Sequence, residues 1–121
     1  MWLNATRANA DGSYTHMHWG FAEIDPNGWK VVIKDTHQQW KGFKGLLTAK
    51  RIISFGGWAY STEKATYNII SSAIRDHASE FVDSIVRFIQ DEGIDGVDID
   101  WEYPGVSSFD LSYLTLISYT C

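Results

Sequence analysis

The sequence predicts an α/β fold built from parallel strands, and two observations support this. β-Type runs alternate three times with helical patterns at about 40 residues per unit, which is typical of βα units joined by right-handed crossovers. The chain of 121 residues is 45% hydrophobic and 21% charged, which is a globular composition. We therefore expect one domain over residues 1–121, with functional residues at the C-terminal ends of its strands.

The first unit opens with a strand. β-Type residues run from Tyr14 to Ile24, and Asp25-Pro26-Asn27-Gly28 follows as a strong turn signal. A second short strand is expected from Trp29 to Lys34. A helical spacing of apolar residues then predicts a short helix within Thr36 to Ala49. Its apolar positions are Trp40, Phe43 and Leu47.

The second and third units follow the same order. Arg51 to Phe55 is a short buried strand that stops at Gly56-Gly57, after which the chain becomes polar. A helix is predicted from Asp76 to Glu92, with Gly93 placed as its C-terminal stop. Its apolar positions are Phe81, Val82, Ile85, Val86 and Ile89. A third strand is expected from Ile94 to Tyr103.

The end of the chain repeats the helical pattern. Pro104-Gly105 breaks the third strand, and helical spacing resumes from Phe109 to Tyr119. The single cysteine, Cys121, allows no internal disulfide.

Charge and hydropathy exclude two classes of partner. A formal charge of -5 with no block of Lys and Arg argues against nucleic acid. No apolar run reaches the roughly 18 residues that span a bilayer, so no membrane partner is expected. The first residues also lack the layout of a secretory signal.

The third strand carries a row of carboxylates. Strand side chains alternate between faces, so Asp98, Asp100 and Glu102 share one face. The opposite face holds Val97, Ile99 and Trp101. Burying such a row costs several kcal/mol per unpaired charge, so stability alone gives no reason for it.

Chemistry gives a reason for the row. Like charges in a poorly solvated site cannot all ionise, so one carboxyl is expected to keep its proton near neutral pH and to act as a general acid. Glu102, nearest the C-terminal end, is best placed to reach a substrate. Two other interpretations remain, a solvated edge-strand face and a cation site. The apolar opposite face argues against the first, and the missing calcium-loop glycine argues against the second.

These residues match known motifs. Asp95-x-x-Asp98-x-Asp100-x-Glu102 resembles the DxxDxDxE signature of glycoside hydrolase family 18. Ser54-Phe55-Gly56-Gly57, followed by Trp58, resembles the family's SxGG motif. The segment from Tyr14 to Ala22 is similar to the family's second strand. The stretch from Arg51 to Tyr67 most resembles fungal members of the class V type.

The resemblance implies an endochitinase on a (β/α)₈ barrel. Such enzymes cleave the β-1,4 links of chitin or chito-oligosaccharides with retention of configuration, and no cofactor or metal is implied. By resemblance, Glu102 protonates the glycosidic oxygen while the substrate's own acetamido group attacks the anomeric carbon. Asp100 would hold the acetamido N–H and stabilise the oxazolinium ion. Asp98 would share a proton with Asp100.

The same resemblance assigns further residues. Gly56, Gly57, Trp58 and Tyr103 are expected to bind substrate, and Ser54 and Asp95 complete the motifs as structural residues. A tight turn explains the two glycines equally well. Core packing explains the two aromatic residues about as well as a sugar cleft does.

The chain matches only part of the family barrel. A complete barrel needs about 250 residues, and this sequence matches strands 2 to 4, or about three βα units. We therefore predict a partial TIM barrel whose open strand edges favour self-association. The resemblance also implies an extracellular or cell-wall-associated location, which no signal in this chain supports.

Other functions remain open. Family members that lose the acid act as chitin-binding lectins, and an inactive fragment would keep the motif without the enzyme. Endo-β-N-acetylglucosaminidases share the acidic motif. His16-x-His18 fits a different class, because metal-dependent amidohydrolases place two imidazoles on one strand face. No other histidine falls at a predicted strand end, so ordinary hydrogen-bonded histidines explain the pair better.

Overall fold

A computed structural model of the protein describes residues 4–103. Within them lies one four-stranded sheet in the order β2-β1-β3-β4. Its strands are β1 (His16–Asp25), β2 (Lys30–Val32), β3 (Lys50–Gly56) and β4 (Gly96–Asp100). β1, β3 and β4 run parallel, and β2 folds back antiparallel on the end of β1. The predicted α/β fold with three parallel strands is confirmed.

Helices occupy the connections between the parallel strands. They are α1 (Trp40–Lys44), α2 (Gly57–Thr62), α3 (Tyr67–Arg75) and α4 (Ala78–Glu92), and a 3₁₀ turn (Ala5–Arg7) precedes the sheet. α4 ends where the sequence predicts, because Gly93 adopts a left-handed conformation and donates its N–H to the Ile89 carbonyl. Within residues 4–103, none of these helices is long and apolar enough to cross a membrane.

α1 is much shorter than the predicted helix from Thr36 to Ala49. The Asp35 carboxylate accepts hydrogen bonds from the backbone N–H groups of Gln39 and Trp40, which fixes the start of the helix late in the segment. The chain leaves the helix at Gly45. Leu47, predicted on the apolar face, is 81% exposed, and Leu46 is buried in its place.

Two helices lie in the segment predicted only as polar. α2 begins directly at Gly57, and α3 buries Ile70, Ala73 and Ile74 at helical spacing. These three apolar residues are the signal that predicts α3, although the residues that precede them, 61–68, are mostly polar.

β4 ends earlier than predicted. The strand stops at Asp100, so Glu102 and Tyr103 follow the strand instead of lying within it. The Glu102 backbone N–H donates to Ser61 Oγ of α2 and not to a neighbouring strand. The predicted break at Pro104-Gly105 and the helix from Phe109 to Tyr119 lie outside the described residues.

The sheet has one face that packs on helices and one that does not. Ile53 and Phe55 of β3 are fully buried on the helix side, where Phe55 meets Phe81 of α4 edge to face. Val97, Ile99 and Trp101 pack against this core, which confirms the predicted apolar face of the acidic strand. The other face therefore carries the polar residues of β1, β3 and β4.

Candidate active site

The carboxylates lie at the C-terminal edge of the parallel strands. In the register of β3 and β4, Ser54 pairs with Asp98 and Gly56 pairs with Asp100. Asp98 and Asp100 are two residues apart on one strand, so they share a face, as predicted. Glu102 follows immediately, with its backbone fixed to Ser61 at 3.1 Å.

Asp98 is held by side chains from two other strands. Ser54 Oγ lies 2.8 Å from Asp98 Oδ2. His18 Nδ1 lies 2.9 Å from the same hydroxyl and 3.5 Å from Asp98 Oδ2. Ser54, predicted as a structural motif residue, is thus a buried link between β1 and β4.

The carboxylate row is more exposed than predicted. The side chain of Asp98 is 42% exposed, and Asp100 and Glu102 are also only half-buried. The four described strands form an open sheet, so the face that carries these groups meets solvent. The expectation of a poorly solvated row is therefore wrong for residues 4–103 taken by themselves.

Gly56 and Gly57 both have a packing reason to be glycine. A Cβ on Gly56, whose φ is +107°, would lie 2.1 Å from the backbone oxygen of Asp100. A Cβ on Gly57 would lie 2.9 Å from the ring of Phe21. The tight approach of β3 to β4 and of α2 to β1 thus explains both residues. Their predicted role in substrate binding stays a prediction.

Two exposed aromatic residues stand beside Glu102. Trp58, in the first turn of α2, is 62% exposed, and Tyr103 is 74% exposed. Their ring centroids are 6.4 Å apart with planes at 75°. Core packing, the alternative for both residues, is therefore wrong. The two rings form an aromatic surface next to the carboxylates, which we call the Trp58–Tyr103 pair.

Asp95 immediately precedes β4, at the end of the strand opposite the carboxylates. Its Oδ2 accepts hydrogen bonds from Arg51 Nε and from the Arg51 backbone N–H, both at 2.8 Å. Lys50 Nζ lies 3.9 Å from the other oxygen. The hydrogen bond from the Arg51 side chain holds the pKa of Asp95 below its ordinary value. These contacts fit the predicted structural role.

Sequence reasoning missed two residues of this site. Ser61 lies in a helix that was not predicted, so no pattern linked it to Glu102. His18 was weighed as a metal ligand or as an ordinary hydrogen-bonded histidine with no named partner, and the structure shows that its Nδ1 contacts Ser54. The signal for His18 was the alternation of β1, which predicts the same face for it as for the carboxylates once the strands are parallel.

The described residues hold no arrangement suited to a metal ion. Among residues 4–103, no group of three or more His, Cys, Asp or Glu side chains lies close enough to bind one. His16 contacts only the neighbouring Thr15 hydroxyl among its recorded hydrogen bonds, at 3.0 Å.

Parallel strands joined by helices, with polar residues at the C-terminal ends of the strands, are typical of the TIM-barrel class of proteins. Residues 3–119 match the model of Glycosyl hydrolases family 18. The chain therefore belongs to this family, and its fold is that of part of the family's (β/α)₈ barrel. The amidohydrolase alternative drawn from His16-x-His18 is overturned by this match.

Similar proteins carry chitinase names. The chain is 40% identical over 126 residues to a probable endochitinase of Caenorhabditis elegans, covering 96% of the chain and 17% of that protein. It is 39% identical over 94 residues to the secreted chitinase LysM12 of Penicillium expansum, covering 75% of the chain and 6% of that protein. The chain thus spans a small part of the length of the relatives that it matches.

Solved structures share the fold. A chitinase-like agglutinin of Robinia pseudoacacia superposes with a TM-score of 0.64 at 25% identity, covering 85% of the chain and 32% of that structure. A group IV chitinase of Ostrinia furnacalis gives a TM-score of 0.55 at 27% identity, covering 74% of the chain and 26% of that structure. The neighbours therefore include a protein named as an agglutinin as well as a chitinase.

Proposed function

We propose that this chain is the catalytic-strand portion of an endochitinase that hydrolyses β-1,4-linked N-acetylglucosamine polymers. One observation carries the proposal. Asp98 and Asp100 lie in the last part of the parallel strand β4 and Glu102 follows it, with the exposed Trp58–Tyr103 pair beside them. Carboxylates supply acid catalysis, and flat aromatic rings stack on the apolar faces of sugars.

In the proposed reaction, Glu102 gives its proton to the glycosidic oxygen as the bond from that oxygen to the anomeric carbon breaks. The substrate's acetamido oxygen forms a bond to the anomeric carbon and gives a cyclic oxazolinium ion. Asp100 accepts the acetamido N–H and stabilises the positive charge, and Asp98 shares a proton with Asp100. Water, deprotonated by Glu102, then forms a bond to the anomeric carbon as the bond from that carbon to the acetamido oxygen breaks, which restores the acetamido group and gives net retention. No cofactor takes part.

Substrate binding is assigned to the surface beside the carboxylates. We assign Trp58 and Tyr103 to stacking on sugar rings, because both rings are exposed there. Gly56 and Gly57 let the backbone pass close to the ligand at the end of β3. Chitin and chito-oligosaccharides are the proposed ligands, which the chitinase names of the relatives support.

The test compares the chain with Glu102→Gln on a fluorescent glycoside of chitotriose. The amide cannot deliver a proton, so turnover should fall at least roughly a hundredfold while folding is kept. Glu63→Gln, a substitution of an exposed glutamate just after α2, is the matched control and should leave turnover unchanged. Equal turnover in Glu102→Gln and the parent chain would overturn the assignment of the acid.

A carbohydrate-binding protein without turnover is the second candidate. The agglutinin from Robinia pseudoacacia, which shares the fold at 25% identity, favours it. Binding of chitotetraose in calorimetry, with no hydrolysis in the glycoside assay, would support this candidate over the enzyme. Neither binding nor turnover by the folded chain would support the inactive fragment. Release of whole glycans from a glycoprotein would instead indicate an endo-β-N-acetylglucosaminidase.

We also propose a fungal class V type and an extracellular or cell-wall-associated location. A secreted chitinase of Penicillium expansum and the killer toxin subunits alpha/beta of Kluyveromyces lactis, at 39% and 33% identity, support both proposals. The nematode endochitinase at 40% identity is the competing relative for the type. Flanking coding sequence that matches the fungal proteins would support the assignment, and flanking sequence that matches the nematode protein would contradict it.

Residues 1–121 are proposed to form one partial catalytic domain that self-associates through open strand edges. β2 and β4 are the outer strands of the described sheet, and each leaves backbone groups on one side without a described strand partner. Sedimentation velocity tests this proposal. A concentration-dependent increase in sedimentation coefficient is expected, and a monodisperse monomer that melts cooperatively would contradict it.

A further inference from the structure

His18, Ser54 and Asp98 form a chain of polar side chains across three strands. The strands β1, β3 and β4 are adjacent and parallel, and these residues lie on the sheet face away from the helices. The distances are 2.9 Å from His18 Nδ1 to Ser54 Oγ and 2.8 Å from Ser54 Oγ to Asp98 Oδ2. The motif residues Ser54 and Asp98 therefore have a third partner that neither motif contains.

The number of available protons fixes the direction of the two hydrogen bonds. Asp98 Oδ2 accepts a hydrogen bond from Ser54 Oγ, and a serine hydroxyl has a single proton to donate. Ser54 therefore donates to Asp98 and keeps a lone pair for His18. The imidazole must then carry its proton on Nδ1 and donate to Ser54, which leaves Nε2 as the acceptor nitrogen.

The hydroxyl depends on protein partners. Ser54 is buried, at 3% exposure, so His18 and Asp98 provide its recorded side-chain contacts in place of bulk water. Without His18 the hydroxyl loses a donor and turns more freely. The Asp98 side chain, 42% exposed, then loses part of what restricts it to one rotamer.

We propose that His18 is a positioning residue for the proposed hydrolysis, acting through Ser54 to hold the Asp98 carboxylate in register with Asp100. This inference rests on the proposed function for its catalytic consequence. The direction of the hydrogen bond from Nδ1 to Ser54 does not depend on that function. The recorded contacts of the imidazole are with Ser54 and Asp98, so its proposed effect on rate passes through Asp98.

Kinetics of two His18 variants test the positioning role. His18→Ala removes the donor, and kcat should fall on the order of tenfold with KM unchanged. His18→Asn places an amide N–H near the position of Nδ1 and should recover most of kcat. His16→Ala, a change two residues earlier in β1 that touches no carboxylate contact, should match the parent chain. Unchanged kcat in His18→Ala, or no recovery in His18→Asn, would overturn the role.

Nitrogen NMR of the histidine rings tests the geometry without any turnover. With ¹⁵N-histidine at about pH 8, where an ordinary imidazole is neutral, His18 should carry its proton on Nδ1. The signal is assigned by its loss in His18→Ala, and Ser54→Ala should shift it toward the Nε2–H form. A proton on Nε2 in the parent chain would overturn the inference. This measurement needs no substrate. It therefore decides which nitrogen of His18 carries the proton even in a chain without turnover, an outcome that would count against the proposed function alone.

Discussion

The acidic residues at the two ends of β4 have different partners. At the start of the strand, Asp95 meets the Arg51 guanidinium and the Lys50 ammonium. Near the end of the strand, the partners of Asp98 are a hydroxyl and an imidazole. Only three positions along the chain separate Asp95, which is balanced by two cations, from Asp98, whose recorded partners within residues 4–103 include neither a lysine nor an arginine.

This difference indicates what each end contributes. Arg51 is almost buried, and its hydrogen bonds to Asp95 join β3 to β4 where both strands begin, so this end contributes to stability. Asp98, Asp100 and Glu102 have no recorded lysine or arginine partner within residues 4–103, so this end contributes no comparable ion pair to stability, and its role in the account is the proposed chemistry. We call these regions the ion-paired end and the carboxylate end.

The largest expected effect is a loss of stability at the carboxylate end. Gly56→Ala forces a Cβ to within 2.1 Å of the Asp100 backbone oxygen at a φ of +107°. We expect the free energy of unfolding to fall by about 4 kcal/mol, from combined backbone strain and overpacking. Urea denaturation followed by circular dichroism measures it.

The control is Gly93→Ala at the end of α4. Gly93 also has a positive φ, of +65°, but a Cβ there meets nothing within 4 Å. Gly93→Ala should lower the free energy of unfolding by only about 1 kcal/mol. Equal losses in the two variants would mean that the approach of β3 to β4 is not tight.

The ion-paired end should give the next largest effect, and it should depend on pH. Because Arg51 lowers the pKa of Asp95, the ionised pair stabilises the fold above the unfolded pKa near 4, and this is lost as pH falls through the lower folded pKa. Asp95→Asn should lower the free energy of unfolding by about 2 kcal/mol at pH 7. The gap between variant and parent should shrink below about pH 4.

Urea denaturation of Asp95→Asn and of the parent chain at pH 7 and pH 3 measures this difference in the free energy of unfolding. Asp91→Asn, at an exposed position near the end of α4, should change stability by no more than about 0.5 kcal/mol at either pH. A gap between Asp95→Asn and the parent that is the same at both pH values would refute the ionic account.

The smallest expected effect concerns the anchor of Glu102. Ser61→Ala removes the acceptor of the Glu102 backbone N–H, so we expect kcat on the chitotriose glycoside to fall on the order of tenfold. Thr62→Ala, which removes a hydroxyl bond to the Trp58 carbonyl, should change turnover much less. Similar losses in both variants would show that α2 supports the site as a whole and not through Ser61.

The sequence predicted those parts of the molecule that have a regular period. α4 and the acidic strand were found because apolar residues recur at helical spacing in one and carboxylates alternate with apolar residues in the other. The extent of α1 was wrong because the start of that helix depends on a cap from Asp35, which periodicity does not reveal.

Long-range contacts of the site could not be predicted in the same way. His18, Ser54 and Asp98 meet only because three strands lie side by side in register, so their contact depends on the register and not on local sequence. Ser61 meets Glu102 because α2 begins immediately after β3. The exposure of the carboxylates reflects the open sheet. The partial barrel was predicted, but the acidic row was still expected in a poorly solvated site, as it would be in a closed barrel.

The most direct test of the account measures stability and turnover together for Asp95→Asn and Asp98→Asn. The account predicts opposite outcomes. Asp95→Asn should lower the free energy of unfolding by about 2 kcal/mol and keep kcat within about threefold. Asp98→Asn should keep the free energy of unfolding within about 1 kcal/mol, because the Asn carbonyl still accepts from Ser54, and should lower kcat about a hundredfold. Equal destabilisation by both variants, or loss of turnover in a folded Asp95→Asn chain, would contradict the division of β4 into an ion-paired end and a carboxylate end.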